Sequence, residues 1–300
     1  MFNLSDKFIN HRDSQADALE SIVRAMDVRL IGHGVMEGVD VKKIGDFMLP
    51  AFLIVYYLRS SVIITHSEQS LVLSPGSFYI FKPFERYDGV RQGKEPLDFA
   101  YLYFDIMPIS LRIRLMRNAF VSCDELFKKE WYGIVGASLE EFCRQNDLLG
   151  TGIKTLLQQV VKVVVTQMLC GQLEHADRTD LAVFCKETEL IDQTFAYVEK
   201  HLAEPINIGS IAKVLGISHS SLDRAFASAA GFSPIHAVTM FKMEKSLEML
   251  TNGCSVKQTA EALGYSSSFH FSSVFLSVMG KRPSIFINRT AFSRIRRNPR

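Results

Sequence analysis

The chain of 300 residues is 47% hydrophobic and 22% charged, ordinary proportions for a soluble globular protein, and is long enough for two domains that each bury a core. It holds no run of about 18 uncharged apolar residues, and its opening, Met1 to Lys7, lacks a signal-peptide layout. Composition thus excludes a spanning helix, and the expectation is a cytoplasmic protein without a membrane partner. The five cysteines (Cys123, Cys143, Cys170, Cys185, Cys254) show neither C-x-x-C nor Cys/His spacing, so they support no zinc site and no disulfide framework. The formal net charge of +2 hides an asymmetry. From Thr188 onward 13 Lys and Arg stand against 8 Asp and Glu, whereas the preceding residues carry 21 and 24. A basic tail behind a slightly acidic front fits a nucleic-acid binder joined to something that is not one. Arg294, Arg296, Arg297 and Arg300 supply much of that excess.

Taken in order, the chain opens with a short helix expected over Ala16 to Met26. From Val28 to about Ile106 the signal is strand-like. Phe52 to Leu58 and Ser61 to Thr65 are β-branched and aromatic runs separated by Arg59-Ser60. Leu71-Val72-Leu73 leads into a turn at Ser74-Pro75-Gly76-Ser77, followed by Phe78 to Phe81, and a further strand runs from Leu97 to Asp105. Short strands with regular turn signals predict a small antiparallel barrel. Its aromatics (Phe52, Tyr56, Phe78, Tyr79, Phe99, Tyr101, Tyr103) alternate, which sends about half of them inward. Those rings either line a ligand site or fill the core. His66, Tyr79, Arg86 and Tyr101 are the candidate effector-binding residues, with His66 or Arg86 as polar anchors.

From about Pro108 to Leu173 the periodicity becomes helical. Leu111, Leu115 and Met116 sit at helical spacing, as do Leu139, Phe142 and Cys143. Leu156, Leu157, Val160, Val161, Val164 and Met168 form the clearest i, i+4, i+8 stripe, an apolar face that could pack on the barrel. The polar, mixed-charge stretch 174–187 reads as a linker.

The last third holds a duplication. Ile211 to Gly216 parallels Thr259 to Gly264, each a short amphipathic helix stopped by a glycine suited to a left-handed turn. Serines follow both glycines, then a second helix with a core phenylalanine (Phe226, Phe275), then Gly-x-x-Pro from Gly231 and from Gly280. The turn glycines lie 48 positions apart and the closing glycines 49. Two helix-turn-helix units are expected, about 207–230 and 255–280. A helix from Glu189 to Leu202 with Phe195 and Val198 inward precedes them. Asn207 is the expected cap of the next helix, with Ile211, Val214 and Leu215 buried. Ser255 and Gln258 fit a capping box. A connecting helix over 234–251 starts on Ser233 as cap and Pro234 at its first position. At 1.5 Å per residue its length is about 27 Å, near the ~34 Å that separates major-groove faces on one side of B-DNA.

At these residues the chain resembles the AraC/XylS transcription regulators. The resemblance is carried by Gly231 to Pro234, Lys242-Met243-Glu244-Lys245-Ser246 with Leu250, Ser255 to Ala260, Gly264-Tyr265, and Phe271 to Phe275 closed by Gly280 and Pro283. It covers about the last 100 residues. Leu73 to Pro83 further looks like the cupin-type sensor barrel found in front of many such DNA-binding regions. The resemblance implies an α+β chain. Residues 1–173 would form a cupin-like antiparallel barrel with helices for effector binding and dimerisation, the Leu156 to Met168 stripe making the dimer contact unless it packs on the barrel, followed by the linker and an all-α DNA-binding domain over 188–300. Cupin enzymes hold a metal with a His-x-His pair, a glutamate and another histidine. Here His66-Ser67-Glu68 offers one histidine, and Tyr87 stands where a histidine often follows, so no metal and no cofactor are expected.

Residue by residue, the family motif puts Ser220 and Arg224 at base-facing positions of the first unit, and Ser268, Phe269 and Ser273 at those of the second. Ser218, Ser221, Ser267 and His270 complete the expected DNA-binding set. Arginine can pair bidentately with guanine, whereas serine contacts are looser. Phe269 is open between thymine-methyl contact, stacking, and burial beside Phe271. The sequence departs from the family where lysines usually follow both phenylalanines: Ala227-Ser228 and Leu276-Ser277 stand there instead. Lys242 replaces the usual arginine of the connecting helix, which weakens a bidentate role there. The first unit should therefore lead recognition, while the second reads bases, touches only backbone or meets a protein. The resulting expectation is a homodimeric, effector-responsive regulator of double-stranded DNA that works with RNA polymerase and is not an enzyme. No G-x-S-x-G, H-E-x-x-H or P-loop pattern appears. The alternative is a small-molecule-binding cupin or metal-dependent enzyme with a degenerate DNA-binding tail.

Overall fold

The computed structural model describes residues 23–40, 42–48, 51–66, 68–117, 129–144, 150–173 and 178–288. The chain divides into two compact units, Met1–Thr188 and Glu189–Arg300. Of the helix expected over Ala16 to Met26, residues 23–25 are helical and 16–22 lie outside the described residues.

The first unit holds the strands β1 (Asp27–Val39), β2 (Lys43–Met48), β3 (Phe52–Arg59), β4 (Ser61–His66), β5 (Gln69–Leu73), β6 (Phe78–Phe81), β7 (Arg86–Gln92) and β8 (Leu97–Met107). They form two antiparallel four-stranded sheets, β1-β8-β3-β6 and β2-β7-β4-β5. The cupin-like domain is therefore a pair of sheets rather than one closed barrel. The sequence breaks are physical turns: Ser60 (φ 66°) separates β3 from β4, and Gly76 (φ 85°) reverses the chain before β6.

Alternation sorts the first sheet into two faces. One carries Phe52, Ile54, Ile80, Ala100, Leu102, Phe104 and Ile106, packed with the apolar faces of α1 (Ile109–Arg117), α2 (Lys129–Arg144) and α3 (Gly150–Leu173). Each fully buried ring or branched chain there contributes about 1.5–3 kcal/mol of transfer free energy. Tyr56 leans on this core, and its ring occupies the space a side chain on Gly136 of α2 would take. The opposite face carries cross-strand rows. Gly34, Tyr101, Val55 and Tyr79 make one row, and Gly32, Tyr103, Leu53 and Phe81 the next. Phe81 meets Tyr87 of the second sheet edge-on at 4.9 Å, so this face looks into the space between the sheets. Of the seven aromatics expected to alternate, Tyr79, Tyr101 and Tyr103 are buried on that inner face, with Phe99 in the adjoining register, while Phe52 and Tyr56 face the helices. The side chain of Phe78 lies outside the described set.

Among the described residues of this unit, the buried charges Lys82, Asp105, Arg112 and Arg114 are each paired. Asp105 and Arg112 are both buried, 2.9 Å apart, and Asp105 also accepts from the backbone of Ile106. Arg114 donates to Phe184 O and Glu187 Oε2, each at 3.0 Å, from α1 to α4 (Arg178–Lys200). Burial lowers the pKa of Arg114 and the Glu187 carboxylate opposes that shift. These contacts show why the linker expected over 174–187 differs from what is observed. From Arg178 on it is helical, because Phe184 supplies a buried ring and Glu187 a partner for Arg114. Helix α4 thus begins well ahead of the expected Glu189 start, and the division between the units falls within it.

Candidate nucleic-acid interface

The second unit continues with α5 (Ile208–Val214), α6 (His219–Ala230), α7 (Pro234–Thr251), α8 (Val256–Ala262), α9 (Ser268–Met279) and a 3-10 turn at Pro283–Phe286. Every expected cap is in place. Asn207 accepts from the Ser210 amide, Ser233 from His236 with Pro234 at the start of α7, and Ser255 forms the reciprocal box with Gln258. Such a cap contributes about 1 kcal/mol each by satisfying an orphan amide.

The two helix-turn-helix units repeat each other's turn hydrogen bonds. In the first, Gly216 (φ 69°) donates to Lys213 O at 3.2 Å and Ile217 to Ala212 O at 3.0 Å. In the second, Gly264 (φ 70°) donates to Glu261 O at 3.1 Å and Tyr265 to Ala260 O at 3.0 Å. Both are Schellman closures that turn the chain toward a second helix. Gly231 and Gly280 end α6 and α9 in the left-handed conformation. Phe226 and Phe275 are fully buried, and Phe195 of α4 packs 6.2 Å from Phe226 and 5.3 Å from Phe241. The expected α5 core forms only in part. Ile211 is buried, but Val214 is 64% exposed and Leu215, the C-cap, half-buried, because a seven-residue helix turns only one narrow stripe inward, which Ile208, Ile211 and Ala212 fill.

The outward residues differ between units. On α6, Ser218 is the N-cap: its hydroxyl accepts from the Ser221 amide at 3.1 Å and lies 3.0 and 2.8 Å from the hydroxyls of Ser220 and Ser221. Ser220 is exposed, and Arg224 lies exposed one turn on, donating to Ser220 O at 3.3 Å and Ser221 Oγ at 3.4 Å. Those contacts fold the guanidinium back along the helix while leaving it in solvent. Sequence reasoning missed His219, exposed at the first turn and 3.0 Å from Asp223; its signal was its place directly after the cap serine. On α9, Ser267 is the cap, accepting from the His270 amide at 3.1 Å. Ser268, His270 and Ser273 are exposed, the Ser273 hydroxyl donating to Phe269 O at 3.1 Å. Phe269 is 80% exposed, which removes burial beside Phe271 as its role. Helix α9 carries no charged side chain, and Leu276 is also exposed. Lys242 is buried in the middle of α7.

In the first unit, the candidate effector residues fall into two groups. Tyr79 and Tyr101 share the inner cross-strand row, and the Tyr101 hydroxyl lies over Gly34, where an added Cβ would come within 2.9 Å of it. His66 and Arg86 sit at the end of the second sheet. His66 Nε2 is 2.8 Å from Glu85, its Nδ1 is 3.0 Å from Arg86 O, and its ring lies 4.8 Å from Tyr87. Lys82 pairs with Glu85 at 3.0 Å and donates to Met116 O at 3.1 Å. Tyr87, expected at a would-be ligand position, donates to Glu85 and accepts from the Lys82 amide; burial drives its pKa far up. Among the described residues no three His, Cys, Asp or Glu cluster as metal ligands.

The α3 stripe divides. Leu157, Val161 and Val164 are fully buried against the sheet, because these positions line the helix face over β1. Leu156 and Val163 are each 49% exposed and Val160 is half-buried between them. The side chain of Met168 lies outside the described set. Among the described residues, no helix is long and apolar enough to cross a membrane.

Two capped helix-turn-helix units on one spacer helix define a DNA-binding protein. A family model described as a helix-turn-helix domain matches residues 211–289. The raffinose operon transcriptional regulatory protein RafR of Pediococcus pentosaceus is 30% identical over 191 residues, 54% of this chain and 68% of that protein. Other curated relatives are matched over 33%, 48% and 47% of their length. An apo variant of ToxT from Vibrio cholerae shares the fold at a TM-score of 0.51 and 13% identity, over 89% of this chain and 98% of that one. Wild-type ToxT with a bound unsaturated fatty acid does so at 0.50 and 16%, over 87% and 94%. The chain belongs to the AraC/XylS family of transcription regulators.

Proposed function

We propose that this regulator reads duplex DNA with α6 and α9 in successive major grooves and that α6 supplies the stronger contact. The observation that carries this reading is the repeat of the turn hydrogen bonds in the two helix-turn-helix units around an 18-residue spacer. Arg224 pairs with a guanine edge, Ser220 and Ser221 assist, and Ser268, Phe269, His270 and Ser273 form the second reader. Phe269, with most of its ring in solvent at the start of α9, packs on thymine methyls. Ser218 and Ser267 act mainly by capping. Selection of bound duplexes from a randomised library tests this: an enriched guanine that loses its preference in Arg224→Ala supports it, and no enriched sequence overturns it.

The first unit acts as a sensor for a small, largely apolar effector held between the sheets, with no metal and no catalysis. Gly32, opposite Tyr103, supports this site, since an added Cβ there would meet nothing within 4 Å, whereas the Tyr101 ring itself covers Gly34. ToxT, of the same fold, binds an unsaturated fatty acid. Glu85, Lys82 and His66 form the polar end, with Arg86 beside them. A ligand at 100 times its Kd raises stability by about 2.7 kcal/mol, so thermal shifts with fatty acids and with sugars decide the class. The chain works in the cytoplasm, alongside RNA polymerase, as a homodimer. The dimer contact on α3 narrows within the expected stripe to Leu156 and Val160 and gains Val163, the residues its own core leaves outward.

A further inference from the structure

A lysine inside a DNA-binding domain is usually a phosphate contact, but Lys242 is buried. Its ammonium donates to Leu263 O at 2.7 Å and to Glu204 O at 3.4 Å, and it sits 5.6 Å from the centre of the Tyr265 ring. Each partner has a distinct place. Leu263 closes α8, and its carbonyl is among those that a helix end leaves without an intrahelical donor. Glu204 lies in the turn between α4 and α5, the approach to the first reading unit. Tyr265 follows the turn glycine of the second. One ammonium on the spacer therefore holds backbone from both sides of it.

The backbone around it is equally close. Gly264 has a positive φ of 70°, and a Cβ there would come within 2.5 Å of Glu204 O. The turn of the second unit is thus seated directly on the turn that leads into the first. Burial lowers the pKa of Lys242, and the carbonyls it binds are the groups that reward keeping the charge.

We propose that Lys242 is a positioning residue that fixes the separation and phase of the two recognition helices, so that the protein accepts its two half-sites at one spacing only. This rests on the reading that both α6 and α9 dock on DNA. A hinge at this junction would let the second unit follow a displaced half-site, whereas the bridging ammonium makes the two units one body. Inserting one base pair moves a half-site about 3.4 Å along the axis and roughly 34° around it, more than a rigid pair can follow. The arginine that the family usually carries here keeps the charge and the donors, so Lys242→Arg should preserve the device, whereas Lys242→Met removes it.

The test uses the full chain and a duplex selected from a randomised library, with variants that carry one base pair inserted or removed between the two protected segments. Wild type and Lys242→Arg should each bind both variants about tenfold more weakly than the parent duplex. Lys242→Met should bind the parent about tenfold more weakly and lose most of the difference among the three. A purely structural role would instead lower affinity by one common factor and keep the wild-type ratios, which overturns the proposal. Wild type that tolerates the insertion without loss also overturns it, and that measurement stands even if Lys242→Met fails to fold. Selection of no duplex at all would overturn the DNA reading, and this inference with it; a selected duplex protected on one groove face would overturn the docking of α9.

Discussion

Helices α6 and α9 share a scaffold and differ in what they show to solvent. Both start on a serine cap, both follow a Schellman glycine, both bury the equivalent phenylalanine completely (Phe226, Phe275, with Phe271 added on α9) and both end on a left-handed glycine. Outward, α6 presents His219, Asp223 and Arg224, while α9 presents serines, His270, Leu276 and a solvent-exposed Phe269. The comparison separates two constraints on one sequence. Caps, turn glycines and core rings specify the shape of a unit, and none of them specifies a base. On the proposed reading, base readout lies in the outward residues, and there α9 shows serines and apolar surface where α6 shows charge.

The shared scaffold predicts equal damage from equal cuts. Phe226→Ala and Phe275→Ala should each cost about 3–5 kcal/mol in denaturant unfolding, since each removes a fully buried ring. A cost in only one of them would mean that the two units are not energetic equivalents. The outward difference predicts unequal effects on binding. Arg224→Ala should weaken the selected duplex by about 1–3 kcal/mol and relax one base position, measured by fluorescence anisotropy. Equal loss on random DNA would make Arg224 a phosphate clamp and weaken the contrast with α9.

Smaller effects sharpen the same contrast. Ser218→Ala and Ser267→Ala should each lower stability by about 1 kcal/mol, because both hydroxyls accept from an amide of the first turn. Preserved stability alongside a specific binding loss would assign those serines to readout instead. Phe269 should give the smallest signal. Replacing the thymines under α9 by uracil removes only methyl groups, worth about 0.8 kcal/mol each, and the loss should vanish in Phe269→Ala. Persistence of that loss in the variant would place another residue against the methyls.

What the sequence disclosed follows the range of the interactions involved. Asn207, Ser233 and the Ser255–Gln258 box were legible because a cap binds an amide three residues away. The turn glycines were legible for the same reason. Val214 was misjudged, since apolar character alone does not say which side of a short helix faces its partner. The early start of α4 was hidden because its support, Arg114 with Glu187, joins residues 73 positions apart. The division of the strands into two sheets depends on pairings such as β1 with β8, which no local pattern encodes. On α3, apolar periodicity marked a face but not its owner. Leu157 and Val161 belong to the chain's own core, and Leu156 does not. For Lys242 the sequence implies only a weakened bidentate role, because a lysine announces burial only once the carbonyls around it are known.

The central claim, two recognition helices docked together on one duplex, is tested most directly by a hydroxyl-radical footprint of the full chain on its selected DNA. The account predicts protection centred on two adjacent major-groove faces, about 34 Å apart on one side of the helix. Protection confined to a single groove face for each copy of the chain would contradict it.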